Sequence, residues 1–391
     1  MSSPNLSAGQ YLYAAKDLRF ETREIPTPGP GEVVVAVRST TLCGSDLHYY
    51  NHYKNGSILV REPLCLGHES SGEIVAAGEK ASLKVGDRVA LEVGVPCREC
   101  DLCKAGRYNI CPHLRFRSSG SKFPHYQGTL QEYVCHPESW VHPLPESLDF
   151  EVGALLEPLA VAVQAVRRIA MISSPQPVEN VLIFGAGAIG LLTALALRAT
   201  GVKNIAMADI HLGRLKFARE NAFASIIYEV KPKSAASVDD AMSVAKDVAQ
   251  DMGELQWPHD KTINKFNVVF ECTGVASCIQ TSIYATKSGG YVVVAGLGTP
   301  NITIPISEAS AREITIVPTW RYANAYPEAM RVAEASVKSF ALGAEQKLPD
   351  IRKLITHRFE GLDSVPDAFA LAGASGDSKG GVVIKTVVNC A

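Results

Sequence analysis

The amino-acid sequence predicts an α/β protein with two domains, one mostly β and one built on a doubly wound parallel sheet. At 391 residues the chain is too long for a single compact core. Short segments in which apolar and polar side chains alternate dominate the first 150 residues, which is typical of β-strands. Between about residues 160 and 320, strand-like and helix-like segments alternate, and this order predicts parallel strands joined by helices. We therefore assign residues 1–159 and 323–391 to the mostly β domain and residues 160–322 to the parallel-sheet domain.

Three local patterns complete this division. Glu157-Pro158 is predicted to end the β region, because the periodicity of residues 159–168 is that of a helix. The tail is predicted to contain a helix over 327–336 and a closing strand over 382–388 that returns to the β domain. The long connection over 230–265 is interpreted as a surface elaboration of the parallel-sheet domain.

Composition excludes several classes of partner. The 38 basic and 40 acidic residues nearly balance, so we expect neither nucleic-acid nor membrane binding. The amino terminus lacks the basic and apolar segments of a secretory signal. The most apolar run, Val181–Leu197, contains three glycines and is shorter than the ~20 residues of a membrane span. Ten cysteines, several at metal-ligand spacing, predict a reduced cytoplasmic protein.

Two short stretches combine residue types that bind zinc. Cys43 opens the sequence Cys-Gly-Ser-Asp-Leu-His, and Gly67-His68-Glu69 follows about twenty residues later. A thiolate, an imidazole and a carboxylate are three different zinc ligands, and a catalytic zinc uses three protein ligands and one open position. Taken alone, such residues are more often part of a core, so this metal site depends on the motifs that follow.

Four cysteines then lie within fifteen residues. Cys97, Cys100, Cys103 and Cys111 are separated by three, three and eight positions. This spacing lets one loop surround a tetrahedral ion completely, which predicts a structural zinc. A redox role for the thiols is the disfavoured alternative.

The second half of the chain contains a glycine motif between a strand and a helix. The buried-strand run Val181-Leu-Ile-Phe leads into Gly185-Ala-Gly187-Ala-Ile-Gly190, and a second strand ends at Asp209. Glycines let the backbone approach a pyrophosphate at the helix amino terminus, and the acid binds the adenosine ribose. Asp209 would repel a 2′-phosphate, which favours NAD over NADP, and we expect Arg214 to cover the adenine.

Taken in this order, the motifs resemble the zinc-containing medium-chain dehydrogenase/reductase family, and most closely its polyol dehydrogenases. The matching segments are Cys43–Tyr49, Gly67–Glu69, Gly153–Pro158, Glu271–Gly274, Gly289-Gly290, Gly296–Gly298 and Arg321-Tyr322. The resemblance implies a GroES-like catalytic domain, a Rossmann domain and a homotetramer. It also implies an NAD- and zinc-dependent enzyme that oxidises a secondary hydroxyl of a sugar alcohol to a ketose.

The resemblance assigns roles to individual residues. Cys43, His68 and Glu69 would bind the catalytic zinc, with Glu157 reaching it through water or transiently. Ser45 would accept the substrate proton and His48 would pass it to water, although a turn serine and an unrelated loop histidine remain open alternatives. The substrate pocket would contain Tyr49, Phe116, Ser119, Glu157, Arg321 and Tyr322. The NAD contacts would be Gly185, Gly187, Ile189, Gly190, Asp209, Arg214, Ala295, Gly296, Leu297, Thr319, Trp320 and Arg321.

The segment over 115–128 departs from the family pattern. It is longer and more basic than the short Pro-Asp-Gly turn common in the family, and it has Ser119 where threonine is common. The resemblance to polyol dehydrogenases makes sorbitol and xylitol the first expected substrates and L-arabinitol the third, and this departing loop leaves the choice among them open. A threonine or vicinal-diol dehydrogenase is the alternative, against which Glu157 and Arg321-Tyr322 argue. A non-enzymatic nucleotide-binding role is disfavoured because the chain retains both sets of zinc ligands.

Overall fold

The computed structural model describes residues 6–171, 178–258, 261–338 and 347–390. Its strands are β1 (Leu6–Ala14), β2 (Asp17–Glu24), β3 (Glu32–Thr41), β4 (Lys54–Asn55), β5 (Ile58–Leu59), β6 (Leu64–Cys65), β7 (Glu69–Ala77), β8 (Arg88–Leu91), β9 (Gly94–Val95), β10 (Arg115–Phe116), β11 (Tyr133–Pro137), β12 (Val141–Pro143), β13 (Asn180–Phe184), β14 (Asn204–Asp209), β15 (Ile226–Glu229), β16 (Phe266–Glu271), β17 (Thr286–Val294), β18 (Thr315–Pro318), β19 (Ile355–Glu360) and β20 (Lys385–Asn389).

Its α-helices are α1 (Gly44–His52), α2 (Asp101–Lys104), α3 (Phe150–Ala170), α4 (Ala188–Ala199), α5 (Leu212–Glu220), α6 (Val238–Glu254), α7 (Ala276–Ala285), α8 (Ile306–Ala311), α9 (Tyr326–Lys338) and α10 (Val365–Ala372). Short 3-10 turns occur at Tyr108–Ile110, Glu138–Trp140, Ile351–Leu354 and Leu362–Ser364. No helix within these described ranges is long and apolar enough to cross a bilayer.

The first compact unit contains residues 1–158 and 352–391. Its largest sheet has the order β12-β8-β7-β3-β20-β19, with β11 also paired to β3. The pairs of β3 with β7, β11 and β20 are all antiparallel. Alternate residues of β3 share one face of this sheet, where Val33, Val35 and Val37 pack into a core that also contains Tyr11, Leu64, Leu91 and Phe369.

The second compact unit contains residues 159–351 and is built on one parallel sheet. Its six strands have the order β15-β14-β13-β16-β17-β18. The strands are continuous apolar runs, as expected for a sheet that helices cover on both faces. The core includes Leu182, Phe184, Phe266 and Val269. The predicted combination of a mostly β part and a doubly wound parallel sheet is therefore confirmed.

Two boundaries differ from the sequence expectation. The chain returns to the first unit at Arg352 and not at residue 323, because α9 packs against α4 and Arg167 pairs with Glu328. Helix α3 begins at Phe150, where the carboxylate of Asp149 accepts the backbone N–H of Val152 at 2.8 Å. Pro158 consequently lies inside this helix and does not mark its beginning.

The connection over 230–265 also contributes to the core. Helix α6 buries Ala245, Val248 and Met252, and the following Trp257 packs edge-on against the Phe266 ring. The interpretation of this segment as a surface elaboration is therefore incomplete, because its helix and its tryptophan pack against the parallel sheet.

Core packing in the second unit can be tested with a matched pair of valines. Val269 on the central strand β16 is 0% exposed, whereas Val238 at the start of α6 is 55% exposed. We expect Val269→Ala to lower the free energy of unfolding by about 2–3 kcal/mol, through lost burial and a residual cavity. Val238→Ala should change it by less than about 0.5 kcal/mol. Urea unfolding followed by circular dichroism checks this, and equal effects would contradict the assigned packing.

Candidate functional site

Strand pairing brings Cys43, His68 and Glu69 together. Strands β3 and β7 are antiparallel with Thr41 opposite Glu69, so the loop after β3 lies beside the start of β7. Cys43 directly precedes helix α1. One ligand atom from each of the three residues lies within 4.8 Å of the others. Among the described residues, this thiolate, imidazole and carboxylate therefore form one compact donor set that suits a zinc ion.

Gly67 allows this close approach. Its φ of +89° lies in the left-handed region that favours glycine. A Cβ atom at this position would lie 2.9 Å from the Thr129 hydroxyl and 3.0 Å from Leu130. The glycine before His68 is thus required both by the turn and by the packing around it.

A buried aspartate orients the histidine. The Oδ1 atom of Asp46 accepts hydrogen bonds from His68 Nδ1 at 3.2 Å, from the Gly67 N–H at 3.1 Å and from the Ser118 hydroxyl at 2.6 Å. Its Oδ2 atom accepts the backbone N–H of Cys43 at 3.2 Å. Donation from Nδ1 fixes the proton there and leaves the Nε2 lone pair available to bind a metal.

The charge of Asp46 follows from these contacts. Burial alone would raise the pKa of the carboxyl, but the neighbouring His68 and the hydrogen bonds from Ser118 and Gly67 hold it below its usual value. Sequence reasoning gave Asp46 no role, although it lies between Ser45 and His48 in the opening motif.

A buried lysine pairs with the predicted ligand Glu69. The Oε2 atom of Glu69 contacts the Thr41 hydroxyl and the Lys385 ammonium, and Lys385 also donates to the Leu42 carbonyl at 2.8 Å. Burial alone would lower the pKa of Lys385, but Glu69 and then Cys43 raise it, with a smaller contribution from Glu157. Lys385 is therefore a buried cation. A lysine in the apolar closing strand, Val-Val-Ile-Lys-Thr-Val-Val, was the signal that could have identified it.

The predicted relay residues lie on helix α1. The Ser45 hydroxyl is 3.4 Å from His68 Nε2, so the structure places this serine beside the nitrogen that is available to bind a metal. His48 is exposed on the same helix, with its ring 6.2 Å from that of His52. Ser45 and His48 are three positions apart, which places them on neighbouring parts of the helix surface.

Among the predicted pocket residues of the first unit, Phe116 and Ser119 belong to the segment over 115–128, and Tyr49 contacts that segment. Tyr49 is buried, and its hydroxyl accepts the Gly120 N–H at 3.2 Å and lies 3.5 Å from the Ser119 hydroxyl. The Phe116 ring packs 5.5 Å from the His68 ring. Glu157 is buried on helix α3. The segment over 115–128 thus contacts the predicted metal ligand His68 as well as the wall residue Tyr49.

The four cysteines form a separate cluster. Their Sγ atoms are 3.5 Å apart for Cys100–Cys103 and Cys111–Cys97, 3.8 Å for Cys100–Cys111 and 3.9 Å for Cys97–Cys103. All four thiols are free of disulfide bonds. Four sulfurs bound to one tetrahedral zinc at the usual bond length would lie about 3.8 Å apart. The cluster therefore has the dimensions of a closed zinc site.

In the second unit, the glycine motif joins β13 to α4. Gly185 has a φ of +98°, and a Cβ atom on Gly190 would lie 1.8 Å from the Gly185 carbonyl oxygen. Asp209 at the end of β14 accepts the Ala186 N–H at 2.6 Å and the His211 N–H at 2.9 Å. Gly187 and Ile189 lie at the start of α4, and Arg214 lies close to Gly187. Backbone N–H groups at a helix start next to an acid suit a dinucleotide.

The other predicted cofactor residues follow strands β17 and β18. The N–H groups of Ala295 and Gly296 donate to the Glu271 carbonyl at 2.8 and 2.9 Å, and Leu297 is exposed. Among the described residues, the buried Thr319 hydroxyl has no hydrogen-bond partner. Arg321 lies over the Trp320 ring at 4.9 Å. Tyr322, predicted to bind substrate, is buried with its ring edge against Tyr326.

The buried ion pair between Lys385 and Glu69 can be tested by removing one partner. We expect Lys385→Met to lower the free energy of unfolding by about 3–5 kcal/mol, because it leaves a buried carboxylate without its cation. The double variant Lys385→Met/Glu69→Gln should recover part of this loss, since the buried charge is then absent. Urea unfolding measures both effects. A double variant no more stable than Lys385→Met would contradict the pairing.

Comparisons with known proteins agree with this arrangement. Residues 29–146 match the alcohol dehydrogenase GroES-like domain, and residues 188–335 match the zinc-binding dehydrogenase family. The chain is 35% identical to sorbitol dehydrogenase of Gallus gallus over 391 residues, which covers 100% of this chain and 98% of that protein. It is 35% identical to D-xylulose reductase A of Aspergillus niger over 381 residues, covering 93% and 100%.

A solved structure gives the same result. The crystal structure of an oxidoreductase of unknown specificity from Escherichia coli superimposes with a TM-score of 0.80 at 29% identity and covers 99% of both chains. Relatives with more than 30% identity cover almost the whole chain. The chain therefore belongs to the zinc-containing medium-chain dehydrogenase/reductase family.

Proposed function

We propose that this protein is an NAD- and zinc-dependent polyol dehydrogenase, which oxidises a secondary hydroxyl of a sugar alcohol to a ketone. The observation that carries the proposal is the donor set of Cys43, His68 and Glu69. Glu157 is buried on helix α3, and its charge acts on Lys385, the partner of Glu69. A carboxylate in place of a second thiolate makes a bound zinc harder, which favours substrates with several hydroxyl groups. The relatives named sorbitol dehydrogenase and D-xylulose reductase support the same substrate class.

The residues around the donor set fit a catalytic zinc. The three donor atoms converge, Asp46 orients His68, and Lys385 balances the charge of Glu69. Bound zinc would act as a Lewis acid that lowers the pKa of the substrate hydroxyl. The Ser45 hydroxyl lies 3.4 Å from His68 Nε2 and would accept the proton from the substrate hydroxyl. His48, exposed on the same helix, would pass it to water.

Two acids support NAD as the cofactor that accepts the hydride. Asp209 ends strand β14, and Glu229 lies directly opposite it in the parallel register of β15. Side chains paired in this way lie on the same face of a sheet. Asp209 would repel the 2′-phosphate of NADP, whereas the ribose hydroxyls of NAD can donate to it. Glu229 would add to this repulsion only in part, because it forms an ion pair with Lys231 at 2.6 Å.

Sorbitol and xylitol are the proposed substrates, with L-arabinitol third. The hydroxyls of Tyr49 and Ser119 and the ring of Phe116 would line the polyol pocket. The family resemblance supports a homotetramer, for which β18 offers the edge of the parallel sheet. The free thiols and metal-type cysteine spacing support a cytoplasmic location.

One assay panel tests the reaction. We expect reduction of NAD with sorbitol and xylitol, weaker reduction with L-arabinitol, and much slower reaction with threonine and 2,3-butanediol. NADP should be at least about tenfold less effective than NAD, a difference of about 1.4 kcal/mol, because Asp209 disfavours its 2′-phosphate. Absorbance of the reduced nicotinamide is the measurement. No turnover of any polyol by protein that binds zinc and NAD would refute the proposal.

Metal analysis tests the zinc sites. We expect two zinc ions per chain, one at Cys43, His68 and Glu69 and one at the four-cysteine cluster. Cys100→Ser should lower the content to one and reduce stability, because a structural zinc contributes directly to folding. Cys135→Ser is the matched control and should retain two, since Cys135 lies outside both clusters. Two zinc ions in Cys100→Ser would rule out the closed site.

A further inference from the structure

Ser118 links the loop over 115–128 to the carboxylate that orients His68. Its hydroxyl donates to Asp46 Oδ1 at 2.6 Å, and both residues are buried. The same oxygen accepts His68 Nδ1 at 3.2 Å. A single hydrogen-bonded oxygen therefore separates the loop serine from the histidine.

The backbone at Ser118 indicates that this contact is built into the loop. Its φ is +63°, a region in which side chains other than glycine are disfavoured. The backbone is held there by the Ser118 N–H, which donates to the Tyr126 carbonyl at 2.9 Å. Glycine would adopt this conformation without strain, so the hydroxyl supplies a contact that the turn itself does not need.

The flanking residues anchor the loop on both sides of Ser118. Arg117 is buried and donates to the Gln127 carbonyl at 2.8 Å and to His136 Nδ1 at 3.1 Å. Gly120 donates its N–H to the Tyr49 hydroxyl at 3.2 Å. Because Arg117 and Gly120 are both held by hydrogen bonds, the loop presents the Ser118 hydroxyl to Asp46 in a fixed position.

We propose that Ser118 is a positioning residue, which couples the substrate loop to the catalytic zinc through Asp46 and His68. This inference rests on the zinc site of the proposed function. Partners that hydrogen-bond to metal ligands fix the orientation of those ligands, and their loss typically lowers metal affinity 10–100-fold. Without its hydroxyl donor, Asp46 would hold His68 less firmly, and zinc would leave the site faster.

Two substitutions at one position separate the hydroxyl from the backbone. Ser118→Ala removes the hydroxyl and keeps the disfavoured φ, whereas Ser118→Gly removes the hydroxyl and relieves that φ. Ser121→Ala is the matched control, because Ser121 is exposed in the same loop and contacts Ser119 instead of Asp46. Each protein is loaded with zinc, and zinc release to a chromogenic chelator is followed together with the urea unfolding midpoint.

We expect both Ser118 variants to release the more labile zinc about tenfold faster than the native chain. Cobalt(II) placed in that site should show a shifted visible absorption band in both variants, because the imidazole orientation changes. Ser121→Ala should match the native protein in both measurements. Ser118→Gly should lower the unfolding midpoint less than Ser118→Ala does, because relief of the disfavoured φ offsets part of the lost hydrogen bond. It therefore remains informative even where Ser118→Ala destabilises the fold.

Three results would overturn the coupling. The first is a zinc-release rate in both Ser118 variants equal to that of the native chain. The second is faster release from Ser118→Ala alone, which would trace the effect to the loop backbone. The third is release from Ser121→Ala as fast as from the Ser118 variants. Absence of the proposed zinc site gives a different result, because the native chain would then bind no zinc at Cys43, His68 and Glu69. Failure of the proposed reaction alone would appear as zinc-loaded protein that turns over no polyol, with the zinc-release results unchanged.

Discussion

The candidate site of the first unit depends on the hydrogen bonds that surround the buried carboxylate of Asp46. A charge without solvent is costly unless donors surround it, and Asp46 receives four, from Cys43, Gly67, His68 and Ser118. These donors come from the start of α1, the turn before β7 and the loop after β10. Satisfying one negative charge therefore fixes three chain segments that are distant in sequence. Asp46 also lies in the first turn of α1, where the helix dipole favours an anion.

A second buried charge connects the carboxyl-terminal strand to the same site. Strand β3 pairs with β7 on one side and with β20 on the other, so Thr41 lies opposite both Glu69 and Val387. This register brings Lys385 to Glu69. The closing strand thus does more than extend the sheet, since it supplies the buried cation that pairs with the predicted ligand Glu69. The register of β20 against β3 therefore determines which side chain pairs with the predicted ligand Glu69.

The sequence predicted those parts of the fold and site that local spacing encodes. The four cysteines, the Gly-His-Glu triplet and the glycine motif each lie within a few residues, and the structure brings each set together as expected. Asp46, Ser118 and Lys385 were missed because their importance comes from partners 22, 72 and 316 positions away. The start of α3 was missed because Pro158 resembles a helix boundary, whereas the capping contact of Asp149 lies upstream.

The anchored loop constrains how substrate choice can change in this chain. Residues 116–120 serve the site architecture, since Phe116 packs on His68, Arg117 and Ser118 form buried hydrogen bonds, and Gly120 binds Tyr49. A substitution there would disturb the histidine as well as the pocket. Residues 121–124 lie at the surface, where Phe123 is exposed and Lys122 donates to the Pro112 carbonyl. Residues 125–128 are anchored again, since His125 Nε2 accepts the Arg61 N–H at 2.9 Å and Gln127 Oε1 accepts the Cys65 N–H at 2.7 Å. The surface stretch over 121–124 is therefore the part of this loop that can change in charge without loss of the contacts to His68 and Tyr49.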